Sequence, residues 1–199
     1  PFLLAALAYG IAGLIIFIWL KPDPLLIAKQ IEHKVQEKAE AIVKRPIVIL
    51  GSFVMIITQI IMVAIMTMTP IHMSHHGHSL SSVGLVIGLH IAAMYLPSLV
   101  TGALLDKFGR KVMIVAASIT LFLSGVVAAL SPANSLIGIT IALVLLGLGW
   151  NFGLISGTAL IIDGTTMTTR AKVQGMTDVW IAISGASAGL LSGIFMDMS

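Results

Sequence analysis

The sequence predicts an all-α membrane protein, a polytopic bundle with six transmembrane helices. Hydrophobic residues make up 58% of the 199 residues and charged residues only 10%, whereas an average soluble domain is about 25% charged. The apolar residues fall into six windows, each long enough to cross a hydrocarbon core of about 30 Å, which takes about 20 helical residues. We place these spans near residues 1–20, 47–69, 82–105, 112–131, 136–162 and 173–196.

The connections between the spans differ sharply in charge. All 11 Lys and Arg residues lie in the connections that follow the first, third and fifth spans. The loops at 70–81 and 131–135 contain none. Because basic loops are retained in the cytoplasm, we expect segments 21–46, 106–111 and 163–172 to be cytoplasmic in a multi-pass protein of the cell membrane.

The first span starts at Pro1, without a methionine, and its apolar run is longer than the core of a signal peptide. We therefore expect the chain to be a piece of a longer protein. Pro22 and Pro24 end this span. Beyond them, apolar residues recur at near-helical spacing among charged residues, which predicts an amphipathic surface helix within 21–46. The simplest role for this segment is a tether between two halves of a protein.

The connection between the third and fourth spans, Gly102–Lys111, reads GALLDKFGRK. It is rich in charge, and Gly109 allows a tight turn. The pattern G-x-L-x-D-[RK]-x-G-R-[RK] resembles the signature loop of the major facilitator superfamily of secondary transporters. Every fixed position of the pattern is filled, by Gly102, Leu104, Asp106, Lys107, Gly109, Arg110 and Lys111.

The resemblance implies two six-helix halves joined by a long cytoplasmic connection, with the signature between the second and third helix of each half. Residues 1–20 then form the last helix of the N-terminal half, and 47–199 form the C-terminal half without its last helix. The resemblance also implies a gate. The loop aspartate, here Asp106, contacts the other half, and the arginine, here Arg110, pairs with an acid on a nearby helix. Asp163, at the cytoplasmic end of the fifth span, is the candidate partner of Arg110.

Three polar residues lie inside predicted spans at similar depth, namely Gln59, His90 and Asn151. Polar groups in a membrane are functional candidates, because leaving them unpaired is costly. These three are expected either to line a pathway for substrate and protons or to form hydrogen bonds between helices. His90 is the candidate proton carrier, since histidine changes charge near neutral pH. A neutral His90 bonded to a backbone carbonyl or a hydroxyl is the alternative.

Asp178 lies in the first turns of the predicted sixth span, close to its cytoplasmic edge. It is a candidate for proton release. Alternatively, it is held by Arg170 and Lys172 at the mouth of the helix, where its charge also suits the helix dipole.

Small residues and a proline predict how the helices pack. Pro97 is expected to kink the third span. Glycines at four-residue spacing in the fifth and sixth spans allow helix backbones to approach closely. They are Gly149, Gly153 and Gly157 in the fifth span and Gly185, Gly189 and Gly193 in the sixth.

Four histidines lie close together in the loop at 71–79, which reads IHMSHHGHS: His72, His75, His76 and His78. Imidazoles at this density could bind Zn²⁺ or Cu²⁺. A pH-sensitive loop and a plain solvated connection are the alternatives.

The function expected from the resemblance is proton-coupled efflux of small amphipathic molecules by alternating access. Such a protein would be an antiporter of the plasma membrane. Spans without Lys or Arg argue against a sugar-phosphate or dicarboxylate carrier. The expected partners are a small-molecule substrate, protons and the lipid bilayer, with no cofactor, no nucleic acid and a monomeric full-length protein. No enzyme motif is present in the sequence. The alternative is a membrane sensor or binding protein of the same fold with a metal- or pH-responsive histidine loop.

Overall fold

The structure is a computed structural model that describes residues 2–22, 27 and 44–197. In these ranges the chain forms six α-helices and no β-strand, which confirms the predicted all-α class. The helices are α1 (Phe2–Trp19), α2 (Arg45–His75), α3 (Leu80–Tyr95), α4 (Ser98–Leu130), α5 (Leu136–Gly164) and α6 (Met167–Asp197). The amphipathic helix predicted within 21–46 lies outside the described residues, apart from residue 27 and its two ends.

α1 belongs to one structural unit of the chain, and α2–α6 belong to a second. α1 is an apolar helix of 18 residues, and its described side chains are exposed on every side, including those of Leu3, Phe17 and Trp19. An apolar helix without a polar face needs lipid or protein around it. This requirement agrees with the predicted first membrane span.

The long helix α4 contains a reversal of the chain at Gly109, whose φ of 83° and ψ of 167° are not helical. Before this residue, α3 and residues 98–108 run parallel to α5, since His90 contacts Leu143 and Thr101 contacts Asn151. After it, residues 110–130 run antiparallel to α5. The third and fourth predicted spans are therefore α3 with residues 98–108, and residues 110–130.

The antiparallel course of residues 110–130 follows from three contacts at successive depths. Arg110 pairs with Asp163, a Cβ at Gly149 would meet Leu121, and Ser124 bonds to the carbonyl of Ala142. The positive φ at Gly109 is a region that residues with a Cβ rarely adopt, so the turn between the two spans depends on this glycine.

α5 is the central helix of the second unit. α2, α3 and α4 pack against it, and α6 packs on α2. Half of the residues in its apolar window, 50%, are buried, whereas at most 22% are buried in the other apolar windows long enough to cross a membrane. The side chains that α5 presents therefore decide how the neighbouring helices are held.

Glycines on α5 allow the close approach of three helices from three directions. A Cβ at Gly147 would lie 2.5 Å from the backbone oxygen of His90 on α3. A Cβ at Gly149 would lie 2.7 Å from Leu121 on α4. Two further glycines face α2, where Gly153 meets Thr58 and Gly157 meets Met55. The predicted glycine stripe of α6 is used only in part, because a Cβ at Gly193 would meet nothing within 4 Å.

The described end of the first predicted cytoplasmic connection, at Lys44, and the other two such connections lie at one end of the second unit. The backbone N–H of Lys44, just before α2, donates to the carbonyl of Gly164 at the end of α5 at 2.9 Å. Arg110, just after the turn of α4, pairs with Asp163 at 2.8 Å. The opposite end contains a buried apolar cluster of Met73, Val86, Ile139 and Leu143.

Two helices extend beyond the predicted spans. α2 continues through Pro70 to His75, and α6 begins at Met167 rather than near residue 173. The predicted boundaries were placed by hydropathy, whereas helices continue past the hydrocarbon region into polar residues. At the start of α6, the backbone N–H of Thr166 donates to Oγ1 of Thr169 at 3.1 Å, which is one of the two bonds of a capping box.

Gly147→Ala is expected to destabilise the full-length protein, because its Cβ meets backbone atoms of α3 that cannot rotate away. Overpacking of this kind costs about 1–3 kcal/mol in the free energy of unfolding, measured by denaturant titration in micelles. Gly125→Ala on α4 is the matched control, since a Cβ there meets nothing within 4 Å, and it should be neutral or stabilising. Equal losses in both variants would contradict the close contact of α3 with α5.

Candidate functional site

The first candidate site is the ion pair between Arg110 and Asp163 at the end of the bundle that holds the basic residues. Arg110 Nε donates to Asp163 Oδ2 at 2.8 Å, and Arg110 Nη2 donates to Oδ1 at 3.2 Å. This two-bond geometry is the strong form of an arginine–carboxylate pair. The two side chains are 35% and 40% exposed, so the pair has the modest strength of a surface pair, about 0.2–1 kcal/mol.

The pair is the contact that the sequence predicts, and the turn at Gly109 explains it. Arg110 is the first residue after the reversal, and Asp163 lies in the last turn of α5. The bond therefore fastens the start of residues 110–130 to the end of α5. Its role in gating stays a prediction.

The rest of the signature loop has few contacts in the described part of the chain. Asp106, Lys107 and Lys111 are exposed, and no ion pair reaches them within those residues. Lys107 Nζ lies 5.2 Å from the ring centroid of Phe108. A Cβ at Gly102 would meet nothing within 4 Å. The loop thus presents Asp106 outward from the unit, and its expected partner in another half stays a prediction.

Asn151 on α5 is bonded to the break between α3 and α4. Its Nδ2 donates to the carbonyl of Met94 at 2.7 Å and to Oγ of Ser98 at 3.0 Å. Its Oδ1 accepts from Oγ1 of Thr101 at 2.5 Å. The side chain is 2% exposed. Of the two roles considered for Asn151, the geometry shows the interhelical hydrogen bonds.

Pro97 explains why these bonds are needed. Proline has no N–H and interrupts the hydrogen bonding of a helix, and α3 ends at Tyr95 just before it. The interruption frees carbonyl groups that lipid cannot satisfy. Asn151 satisfies the carbonyl of Met94, and Ser98 Oγ donates to the carbonyl of Tyr95 at 2.7 Å. The predicted kink is thus a short break that side chains close.

Gln59 is part of a second interhelical contact at mid-depth. Trp150 Nε1 donates to its Oε1 at 3.0 Å and joins α5 to α2. The ring of Tyr95 on α3 meets the Trp150 ring edge to face, with centroids 5.8 Å apart and planes at 70°. The sequence reasoning did not single out Tyr95. The sequence feature that could have identified Tyr95 is the position of a tyrosine in the middle of an apolar span.

His90 lies inside the contact between α3 and α5 and is fully buried. Its Nδ1 lies 2.8 Å from the carbonyl oxygen of Leu143. Because a carbonyl only accepts, Nδ1 carries the hydrogen, and Nε2 is the acceptor of the neutral ring. Nε2 is buried without a partner among the described residues. The bond to a backbone carbonyl is the contact named in the alternative considered for His90, and its role as a proton carrier stays a prediction.

Asp178 is exposed on α6. The expected ion pairs with Arg170 and Lys172 do not occur in the described part of the chain, where the single ion pair is Arg110–Asp163. α6 begins at Met167, so Asp178 lies several turns into the helix, and the expected benefit from the helix dipole, which is confined to the first turn, does not apply.

The four histidines do not form the metal site considered from the sequence. Within the described residues no group of three or more His, Asp or Glu side chains is placed to hold a metal ion. α2 continues to His75, so His72 and His76 stack on one side with ring centroids 4.3 Å apart, and His76 Nδ1 donates to the carbonyl of His72. His78 follows the turn at Gly77, and its Nε2 is buried.

Comparisons with known proteins bear on the whole chain. The family model described as Major Facilitator Superfamily matches residues 1–189. Two proteins of Bacillus subtilis (strain 168), named uncharacterized MFS-type transporters YdeG and YddS, are 57% and 56% identical over 98% of this chain and 47% of their own length. The riboflavin transporter RfnT of Brucella anthropi is 32% identical over 79% of this chain and 39% of its own.

The chain spans about half the length of the curated relatives it matches, as the 47% coverage of the Bacillus proteins shows. No solved structure matches the chain significantly.

Asn151→Ala is expected to destabilise the full-length protein, because it leaves the carbonyl of Met94 and the hydroxyl of Thr101 without partners. The expected loss in the free energy of unfolding is about 1–3 kcal/mol, measured by denaturant titration in micelles. Asn134→Ala, in the exposed connection between α4 and α5, is the matched control and should change little. A neutral Asn151→Ala would refute its role at the break.

Proposed function

This chain belongs to the Major Facilitator Superfamily, and we propose that it forms the C-terminal half of a longer transporter that exports small amphipathic molecules in exchange for protons by alternating access. In this proposal residues 1–20 are the last helix of the N-terminal half, and 47–199 are the C-terminal half without its last helix. The protein is proposed to act as a monomer in the cell membrane, with segments 21–46, 106–111 and 163–172 in the cytoplasm. The names of the Bacillus relatives support transport as the activity.

The observation that carries the proposal is the fastening of the signature loop by Arg110 and Asp163. A transporter must open and close each side of its pathway in turn. The contacts at its ends must therefore be strong enough to stabilise the closed state and weak enough to break when that side opens. A surface pair worth about 0.2–1 kcal/mol shifts a two-state equilibrium by up to about fivefold. Arg110–Asp163 is such a contact, and Asp106 is exposed for a second contact with the missing half.

The substrate class follows from the polar groups at mid-depth. Gln59, Trp150, Asn151 and Tyr95 are uncharged, and the described Lys and Arg residues lie in or beside the predicted connections between spans. A multiply charged substrate would require fixed charges at that depth. The relative named as a riboflavin transporter supports a small molecule with both ring and polar parts.

Coupling to protons is proposed to use His90. Its Nε2 is a buried acceptor without a partner among the described residues. A proton bound there would create a charge in a closed contact, which is costly unless a new partner or water reaches it. Proton binding would therefore favour a state in which α3 and α5 separate near His90. Asp178, exposed on α6, is the second candidate for the proton pathway.

The histidine-loop sensor considered as an alternative gains no support from the described residues, because the four imidazoles do not converge.

Proteoliposomes with the full-length protein are expected to export a panel of lipophilic compounds faster when a proton gradient is imposed. Inactivity toward every compound, with and without the gradient, would refute transport. His90→Gln should abolish the dependence of flux on pH, since glutamine can still donate to the carbonyl of Leu143 but cannot titrate.

Ser124→Ala is the matched control for His90→Gln, because Ser124 also donates to a carbonyl of α5, that of Ala142 at 2.8 Å, without a titratable group. It should keep the pH dependence. An unchanged pH dependence in His90→Gln would reject His90 as the proton carrier and leave its bond to Leu143 as its function.

Charge exchange tests the gate. Arg110→Asp and Asp163→Arg are each expected to reduce the transport rate several-fold, and the double variant should recover part of it, because the pair is re-formed with opposite polarity. Lys111→Gln is the control, since it removes a neighbouring charge that makes no ion pair in the described part of the chain. Failure of the double variant to recover would show that the two residues act independently.

A further inference from the structure

Two histidines at the end of α2 form a ring pair at the protein surface. His72 lies in the last turn of the helix, and His76 caps it four residues later, so both side chains leave the same face. Their ring centroids are 4.3 Å apart, and the ring planes are tilted by 36°. His76 is exposed and His72 is half-buried. The pair is therefore accessible from the medium at this end of the second unit.

The ring of His76 is oriented by a backbone carbonyl. The backbone N–H of His76 and its Nδ1 both donate to the carbonyl oxygen of His72, at 3.2 Å and 2.9 Å. Because Nδ1 carries the hydrogen, Nε2 of the neutral ring has a lone pair to offer. Histidines that bind metal ions commonly donate from their other nitrogen in this way, which fixes the tautomer and the direction of the ring. His76 is thus already in the tautomer that presents Nε2 to a metal ion.

The spacing of the two rings suits a single metal ion. Two nitrogens that each bind one ion at about 2.0 Å are about 3 Å apart when they occupy neighbouring positions around it. Because the ring planes are tilted, the rings are closer at one edge than at their centroids. The χ2 torsion of histidine is broad, so a modest rotation brings one nitrogen of each ring to this spacing. Histidines at i and i+4 are also how a helix presents two ligands to zinc.

The pair is a smaller site than the four-histidine site considered from the sequence. Within the described residues no third His, Asp or Glu is placed to hold an ion together with it. The Nε2 of His78 is buried, and so is Met73, which belongs to the apolar cluster at the end opposite the Arg110–Asp163 pair. The protein therefore supplies two nitrogens, and water is left to fill the other positions around an ion.

We propose that His72 and His76 bind a divalent transition-metal ion, Cu²⁺ most tightly, independently of the transport function proposed above. Imidazole nitrogens with water oxygens suit the tetragonal geometry of Cu²⁺ and Ni²⁺, and affinity for such ligands peaks at Cu²⁺ along the first transition series. Structural zinc sites use four protein ligands instead. The surroundings favour a cation, because segment 70–81 contains no Lys or Arg and the C-terminal end of a helix is the negative end of its dipole.

The test measures Cu²⁺ binding to the full-length protein in lipid nanodiscs, purified through an affinity tag that contains no histidine. His72→Gln and His76→Gln are each expected to weaken binding about 10- to 100-fold in titration calorimetry, the range known for loss of a contact that supports a metal-binding histidine. Paramagnetic resonance of the bound Cu²⁺ should show two imidazole nitrogens in the wild-type protein and one fewer in either variant. Ni²⁺ should bind the wild-type protein more weakly than Cu²⁺.

His75→Gln is the matched control, because it removes an exposed imidazole from the same turn but outside the pair, and it should leave the affinity unchanged. Cu²⁺ should raise the melting temperature of the wild-type protein and of His75→Gln, but not that of His72→Gln or His76→Gln. The proposal is overturned if the wild-type protein binds no Cu²⁺, or if His75→Gln weakens binding as much as His72→Gln. It is also overturned if all variants bind Cu²⁺ alike, which would indicate an adventitious ion only.

Discussion

A bilayer supplies no water to backbone groups, and this constraint explains why polar side chains converge on the central helix. The break at Pro97 frees carbonyl groups that must find donors within the protein. On α5, Asn151 provides one such donor, to the carbonyl of Met94. Two further bonds connect α5 to the helices on its other sides: Ser124 of α4 donates to the carbonyl of Ala142, and Trp150 donates to Gln59 of α2. The glycines of α5 make these bonds possible, because short side-chain bonds require backbones that lie close together.

Much of this arrangement could be predicted from the sequence, but the helix faces could not. Hydropathy and charge located the spans, and the signature loop gave the reversal at Gly109 and the Arg110–Asp163 pair. A helix that is apolar on all sides has no amphipathic stripe, so the partners of Asn151, Gln59 and His90 depended on packing. The four histidines show the same limit, because their density in the sequence did not reveal that α2 continues to His75.

The polar groups of the unit fall into two kinds. Asn151 and Ser124 have no buried polar side-chain atom without a partner, and their bonds join α5 to α3 and α4. His90 and Gln59 are each bonded at one atom and unpartnered at another within the described residues. Groups of the second kind are the ones that can respond to a proton or a ligand without first breaking the contact that positions them.

Trp150 and Asn151 are consecutive residues of α5, and this adjacency has a mechanical consequence. Successive side chains of a helix point about 100° apart, so these two neighbouring residues direct an indole to the ring of Tyr95 and an amide to the break between α3 and α4. A small rotation of α5 about its axis changes both contacts at once. Any movement of α5 that displaces the Trp150 ring from Tyr95 would therefore also strain the hydrogen bonds by which Asn151 holds the break between α3 and residues 98–108.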